Sequence, residues 1–324
     1  MFPVLGAPMQ SICTVCPWKC VLEEGKLGRC KARINNNGNV QVANPNFIST
    51  AILGPIEQKG IYHFHPGANI LSVGGVGCNL FCGFCQNFSI SQVAKTHGET
   101  MAPKDLVSLA VGKKAEGIAF TYNEPLINYE YVMDVFDLAR RSDLITVLKT
   151  AGLVDQHIFA EVCRLTDCVN IDLKGDYQVY REICHVDPSW MDIVLLNIGT
   201  ASLLTHTEIS IPVITNYEDN AREAANLLYD VGIFPLHLLR FIPDFKMKKF
   251  APTSMKVLEI LQNYLLEQYH YVYIDFAEMT NETRCLSCKE LILKREGAKL
   301  SYNSLKVDLC PRCGKKQDIK IKVK

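Results

Sequence analysis

The chain has 324 residues, 48% of them hydrophobic, and a formal net charge of zero. That length suits one large domain or a barrel with small appendages, and the balanced charge excludes a global pull toward nucleic acid or membrane. No apolar run reaches the length of a membrane span. Fourteen cysteines would suit a secreted disulfide scaffold. However, Met1-Phe2-Pro3-Val4-Leu5 lacks the basic start and long apolar core of a signal peptide. Eleven of the cysteines also fall in tight metal-type clusters, a pattern of intracellular metal binding. The expectation is a cytoplasmic protein with no membrane partner, in a reducing, oxygen-poor setting.

The first segment, residues 1–66, carries Cys13-x2-Cys16-x3-Cys20-x9-Cys30, with Gly25 and Gly28 forming a knuckle before Cys30. Asn35-Asn36-Asn37-Gly38 predicts a hairpin turn between strands at 31–34 and 39–43. Four thiolates here would hold zinc or an auxiliary iron–sulfur cluster. Zinc is favoured, because a small hairpin lacks a core and gains folding energy from a metal. His63-Phe64-His65 follows. In a strand both histidines would point the same way, so a two-histidine metal site is conceivable, and hydrogen-bonded or solvated histidines are the expectation.

From residue 67 to 280 the chain alternates apolar strand-like runs with longer helical patterns. The runs lie at 70–76, 117–121, 144–148, 168–173, 207–213, 236–242 and 271–275. Helical patterns include 104–113, 127–141, 156–163, 218–231 and 253–267. Such alternation predicts an α/β fold with a parallel sheet, closed or partly closed as a TIM-like (β/α) barrel. Chemistry then belongs at the C-terminal ends of the strands.

The loop after the first run reads Gly77-Cys78-Asn79-Leu80-Phe81-Cys82-Gly83-Phe84-Cys85-Gln86-Asn87. Three thiolates at C-x3-C-x2-C spacing can hold three corners of a 4Fe–4S cluster, whose ordinary ligation is four cysteines. The missing fourth leaves one iron open to another ligand. A structural zinc site would need a fourth N or S ligand, and none occurs before His97. Later strand ends are polar: Thr121-Tyr122-Asn123-Glu124-Pro125, Lys149-Thr150-Ala151-Gly152, Asn170-Ile171-Asp172-Leu173-Lys174, Thr215-Asn216 and Arg240-Phe241-Ile242-Pro243-Asp244. One such residue would read as a cap or turn; five sets on the cysteine-loop face predict a site.

Residues 281–324 hold Cys285-x2-Cys288 and Cys310-x2-Cys313-Gly314, paired knuckles that predict a zinc ribbon. From Cys285 onward, eleven Lys/Arg stand against four Asp/Glu. This is a solvated basic face or a dock for RNA or an acidic partner. Cys163 and Cys168 fit core faces. Cys184, in Tyr180-Arg181-Glu182-Ile183-Cys184, is less easily placed in a core and is a candidate catalytic residue.

The cysteine loop, with the aromatic Phe84 before its last cysteine, resembles the radical S-adenosylmethionine (SAM) signature. Together with Pro55-Ile56-Glu57-x-Lys59, Phe64-His65-Pro66-Gly67, the Glu124 and Asp172-Leu173-Lys174 strand ends, Tyr180-Arg181-x-Ile183-Cys184, Arg240-Phe241-x-Pro243-Asp244-x-Lys246-Met247 and the terminal ribbon, it resembles the radical SAM component of the AmmeMemoRadiSam system, itself similar to pyruvate formate-lyase activating enzyme. The resemblance covers nearly the whole chain. It implies a 4Fe–4S cluster on Cys78, Cys82 and Cys85, and reductive cleavage of SAM to a 5′-deoxyadenosyl radical that abstracts hydrogen from a substrate. It implies Glu124 at the SAM amino group, and Asn123, Thr150, Asp172, Lys174, Arg240 and Phe84 as SAM or substrate contacts. Where the family reads Thr-Asn-Gly, this chain has Thr150-Ala151-Gly152 after Lys149, which suggests that Lys149 supplies a positive charge near the SAM carboxylate. The family's Ile-Pro-Gly is Ile211-Pro212-Val213 here. An electron donor and a protein substrate, among them Memo-like and AMMECR-like proteins, are implied partners. Rival readings are a glycyl-radical enzyme activase, an RNA-modifying enzyme and a non-catalytic Fe–S/zinc scaffold.

Overall fold

A computed structural model describes residues 10–276 and 278–321. Its centre is one eight-stranded sheet. In chain order the strands are β1 (Thr50–Pro55), β2 (Asn69–Gly74), β3 (Gly117–Phe120), β4 (Ile145–Thr150), β5 (Cys168–Asp172), β6 (His206–Val213), β7 (Leu236–Arg240) and β8 (Val272–Asp275). They lie in sequential order from β1 at one edge to β8 at the other. Neighbours from β2 to β8 pair in parallel, whereas β1 pairs antiparallel with β2. No pairing joins β8 to β1 among the described residues, so the barrel is partial, with a seam between its edges.

The crossovers are α1 (Pro103–Gly112), α2 (Tyr129–Arg141), α3 (Gln156–Arg164), α4 (Tyr177–Glu182), α5 (Trp190–Leu204), α6 (Glu218–Tyr229) and α7 (Met255–Leu265). Asp155 and Ser254 accept backbone N–H groups at the starts of α3 and α7, as N-caps do. The predicted strand and helix positions match these elements within a few residues. Three elements were not anticipated: β1, the short α4 and α5. β1, from the segment assigned above to the N-terminal part, has a single buried residue, Gly54, and reads as loop. α5 is apolar almost all round and shows no clear stripe.

Alternation along the strands sorts the two faces. On β5, Val169 and Ile171 turn outward into the main core with Leu148 of β4 and the helices. Burying each such side chain contributes about 1.5–3 kcal/mol. The other face looks inward and changes character along its length. Toward the strand starts it is apolar: Ile70, Ala119, Ile145, Val147 and Cys168 pack on Ile56, Ile61, Phe64 and Ala68. Toward the strand ends it is polar, with Lys149, Asn170 and Asp172. Residues 56–68 thus plug one end of the barrel and leave the other open for chemistry.

His63 and His65 belong to this plug and are not in a strand; His65 takes φ +42°. The two rings therefore do not share a strand face. His63 is fully buried, bonded to the Asp318 carbonyl (2.8 Å) and the Tyr273 hydroxyl (2.7 Å), and burial lowers its pKa to about 4. Glu208 of β6 organises the same turn: it accepts from the Tyr62 and His63 N–H groups and meets the Nε2 atoms of His206 and His237 at 3.0 and 2.8 Å.

The C-terminal ribbon, with strands β9 (Thr280–Arg284), β10 (Leu291–Glu296) and β11 (Lys299–Asn303), docks under the plug. Arg295 of β10 is fully buried. It donates to Thr283 Oγ1 (3.0 Å), lies 4.3 Å over the Tyr62 ring and stands 3.7 Å from Glu57 Oε1. At the N-terminus the hairpin pairs Arg33–Asn36 with Asn39–Val42. Its turn is Asn37-Gly38, with φ of +52° and +78°, the left-handed pair that Asn-Gly favours. Asn35 and Asn36 lie in the strand rather than the predicted turn.

Candidate active site

The loop carrying Cys78, Cys82 and Cys85 leaves β2 at the open end of the barrel. It is held by polar side chains from all around it. Asn123 accepts from Gly75 N–H and donates to the Gly77 carbonyl, both at 2.9 Å. Trp18 Nε1 donates to the Asn79 carbonyl (2.8 Å), and Asn79 donates to that of Leu153 (2.6 Å). Phe81 and Gly83 N–H groups donate to the Cys184 and Ile183 carbonyls. Gly77 adopts φ +84°, and a Cβ there would collide with the carbonyl oxygen of Cys30; that oxygen accepts the Cys78 N–H at 3.1 Å. Each of the three sulfurs has a polar neighbour: Leu80 N–H at 3.5 Å from Cys78, Cys184 Sγ at 3.5 Å from Cys82, and Ser91 Oγ at 3.2 Å from Cys85.

These thiols open onto a cavity of about 350 Å³. Its wall includes Phe84, Asn123, Glu124, Lys149, Thr150, Asp172, Lys174 and Arg240. The structure therefore brings these expected residues of the strand ends into one wall, whereas Thr215, Asn216 and Asp244 do not line it. Glu124 is buried and accepts from Thr150 Oγ1 (2.7 Å), Ala151 N–H (2.8 Å) and Leu126 N–H (3.0 Å). Burial pushes its carboxyl up while those donors pull it down, and the net direction is upward. Asp172 bridges Lys149 and Lys174, each at 2.9 Å. Burial alone would raise the Asp172 carboxyl, but the two ammonium groups outweigh it and hold it well below the usual carboxylate range. Lys149 also donates to Asn170 Oδ1 at 2.6 Å, so its charge is largely engaged within the wall. Arg240 donates to the Thr253 carbonyl and stacks 4.7 Å over Phe276. Phe84 meets Phe241 edge to face at 6.4 Å.

Cys184 does not line this cavity; it is buried behind Cys82. Sequence reasoning did not single out Lys59, which does line it. Lys59 lies in the plug, far from the strand ends in sequence, and only its place inside a quoted motif hinted at a role.

The four ribbon thiols, Cys285, Cys288, Cys310 and Cys313, converge within 4.8 Å of one another, with opposed pairs at 3.7 and 3.6 Å. Tetrahedral zinc with Zn–S of about 2.3 Å requires sulfurs about 3.8 Å apart, so this set could hold a metal. No three of Cys13, Cys16, Cys20 and Cys30 converge so closely, and neither do Cys78, Cys82 and Cys85.

A partial parallel barrel with a three-cysteine loop at its catalytic end defines a class of enzyme built around an open-cornered cluster. The family model described as "Radical SAM superfamily" matches residues 72–233, half of the chain. The chain belongs to the radical SAM superfamily, and is thus an enzyme whose family implies a 4Fe–4S cluster and SAM. An uncharacterized protein, MJ0808, of Methanocaldococcus jannaschii is 30% identical over 95% of both chains. The pyruvate formate-lyase-activating enzyme of Clostridium pasteurianum is 24% identical, over 59% of this chain and 87% of that one. SuiB of Streptococcus suis, solved bound to precursor peptide SuiA, shares the fold with a TM-score of 0.51 at 13% identity, over 71% of this chain and 52% of that one. No helix among the described residues is long and apolar enough to cross a membrane.

Proposed function

We propose that Cys78, Cys82 and Cys85 hold a 4Fe–4S cluster with one open iron, and that the adjoining cavity binds SAM and the hydrogen donor together. The observation that carries this is one cavity lined at once by the three thiols and by Glu124, Thr150, Asp172 and Lys174. The spread of the thiols beyond 4.8 Å suits a cubic cluster better than a single ion. When bound, the cluster supplies the electron that cleaves SAM to a 5′-deoxyadenosyl radical, which takes hydrogen from the substrate. The chain's own task is binding, orientation and exclusion of water. Glu124 presents a carboxylate to the SAM ammonium, and Thr150 and the Ala151 N–H fix its direction; a charge-assisted hydrogen bond suits that pair. Asp172 and Lys174 shape the wall beside it, and Arg240 and Phe84 complete the lining.

The ribbon cysteines hold zinc in this reading. The N-terminal four are assigned a second iron–sulfur cluster rather than zinc, since no three of them converge within 4.8 Å as the ribbon thiols do. The protein acts as the radical SAM member of an AmmeMemoRadiSam system, with an electron donor and a protein substrate, Memo-like and AMMECR-like proteins being the implied partners. Activation of a glycyl-radical enzyme is the second reading, favoured by the Clostridium pasteurianum relative.

Anaerobic protein reconstituted with iron and sulfide, then given dithionite and SAM, should form 5′-deoxyadenosine, and Cys82→Ala should not. Glu124→Ala should weaken SAM binding about tenfold to a hundredfold, the worth of a charged hydrogen bond. SAM affinity unchanged in Glu124→Ala would remove Glu124 from the site.

A further inference from the structure

The cavity contains a charge that makes no ion pair with any side chain of the described residues. Lys59 ends the turn Ile56–Lys59 of the plug and is only 4% exposed. Its neighbour Gly60 accepts from Asn170 Nδ2 through its carbonyl, which sets this part of the plug at the level of Asn170, one inward position below Asp172. Lys59 lines the same cavity as the three cysteines. Its Nζ makes no hydrogen bond or ion pair among the described residues; its one named neighbour is the Tyr122 ring, 5.0 Å to the centroid. The other lysines of the wall are both spent on Asp172.

With the three cysteines left to the cluster, Lys59, Lys149, Lys174 and Arg240 stand against Glu124 and Asp172 in the lining, and of its lysines Lys59 has no carboxylate in ion-pair reach among the described residues. A cation–π contact at this range returns only a small part of what burying an ammonium costs. Asp275 attracts Lys59 from beyond ion-pair distance, and its own carboxyl is pushed up by burial. Burial, with the Lys149 charge second, lowers Lys59 to about 8. A buried, unpaired cation that touches a cavity is a binding group waiting for its counter-ion.

We propose that Lys59 anchors the substrate, by binding an anionic oxygen group of it, a carboxylate or a phosphate, on the inner side of the cavity. That the bound group belongs to the substrate rests on the radical SAM reading of this cavity; capture of the anion does not. With its anion on Lys59, the rest of the substrate extends toward the strand ends and the cysteine loop, where hydrogen is removed. Substrates without such a group would leave the ammonium buried and unpaired, so Lys59 selects for charge.

The test is calorimetric titration of the full chain, with clusters reconstituted and SAM bound, using malonate in one arm and inorganic phosphate in the other, without reductant. Saturable one-site binding of either is expected. Lys59→Met should weaken it by at least about tenfold, as loss of a charged hydrogen bond does, and Lys59→Arg should retain it. Malonate alone would identify a carboxylate, phosphate alone a phosphate ester. No saturable binding of either anion to the unmodified protein, or equal binding to Lys59→Met, overturns the proposal. If Lys59→Met does not fold, acetylation of Lys59 by acetic anhydride, read by peptide mass, replaces it: protection by the anion supports the anchor and no protection refutes it. Full protection by SAM before any anion is added would assign the charge to SAM and also overturn it. Absence of 5′-deoxyadenosine in the separate reductive assay would sink the radical SAM reading and leave these titrations standing.

Discussion

Cys184 Sγ lies 3.5 Å from Cys82 Sγ, fully buried, and the backbone of residues 183–184 is stitched to the loop that carries Cys82. Once Cys82 is a metal-bound thiolate, only the Cys184 S–H can donate across this gap. Hydrogen bonds to cluster sulfurs raise the reduction potential, because they favour the more negative reduced state. Cys184→Ala should therefore lower the midpoint potential of the loop cluster by about 40 mV, one hydrogen bond of about 1 kcal/mol on a one-electron couple. Cys184→Ser should keep most of it. A redox titration followed by electron paramagnetic resonance decides, and an unmoved potential in Cys184→Ala would reduce the contact to packing.

Asp172 between Lys149 and Lys174 links the site to acid stability. Its folded pKa lies below the ordinary carboxylate value, so the unfolded chain binds the extra proton. The stabilisation is complete above the unfolded value of about 3.9 and is lost as pH falls from there toward the folded value. Urea unfolding at a series of pH values should show this loss in the parent protein and a flatter acid limb in Asp172→Asn. At neutral pH the variant leaves two cations without their partner and should be less stable by about 3–5 kcal/mol. Identical acid limbs would show that the pair does not control this region.

The Arg295–Glu57 contact fastens the ribbon to the plug. Arg295→Met strands Glu57 in a buried site where its carboxyl is already pushed up by burial, and should cost about 3–5 kcal/mol. Glu57→Gln added to Arg295→Met should recover part of that loss, since an apolar or neutral pair avoids the unpaired charge. Thermal melting of the single and double variants checks it; a double variant no better than Arg295→Met would mean the contact matters through shape alone.

Metal content separates the three cysteine groups. Reconstituted protein should carry about one zinc and about eight irons. Cys16→Ser with Cys30→Ser should bring iron to about four and leave zinc in place, as read by plasma mass spectrometry. Loss of a second zinc instead of iron would assign the N-terminal site to zinc.

Most strand and helix positions, the three-cysteine loop and the ribbon knuckles were legible in the residues. Each is a local signal: short apolar runs, helical period, and thiols a few residues apart. Glu124, Asp172 and Lys174 were legible for the same reason, since each sits where a strand run stops. What the tertiary structure alone decided depends on contacts between residues far apart in sequence. Residues 56–68 look like a loop, and only threading them inside the barrel buries His63 and brings Lys59 into the cavity. Arg295 reads as one more charge on a basic ribbon until the fold seats it under Tyr62, 233 residues away. Cys184 stands alone in the sequence, and only the packing of α4 against the cysteine loop sets its sulfur beside that of Cys82. Local spacing fixes which groups a segment can offer; burial and partnership of a charge are properties of the closed chain, because they depend on which distant segment removes the water.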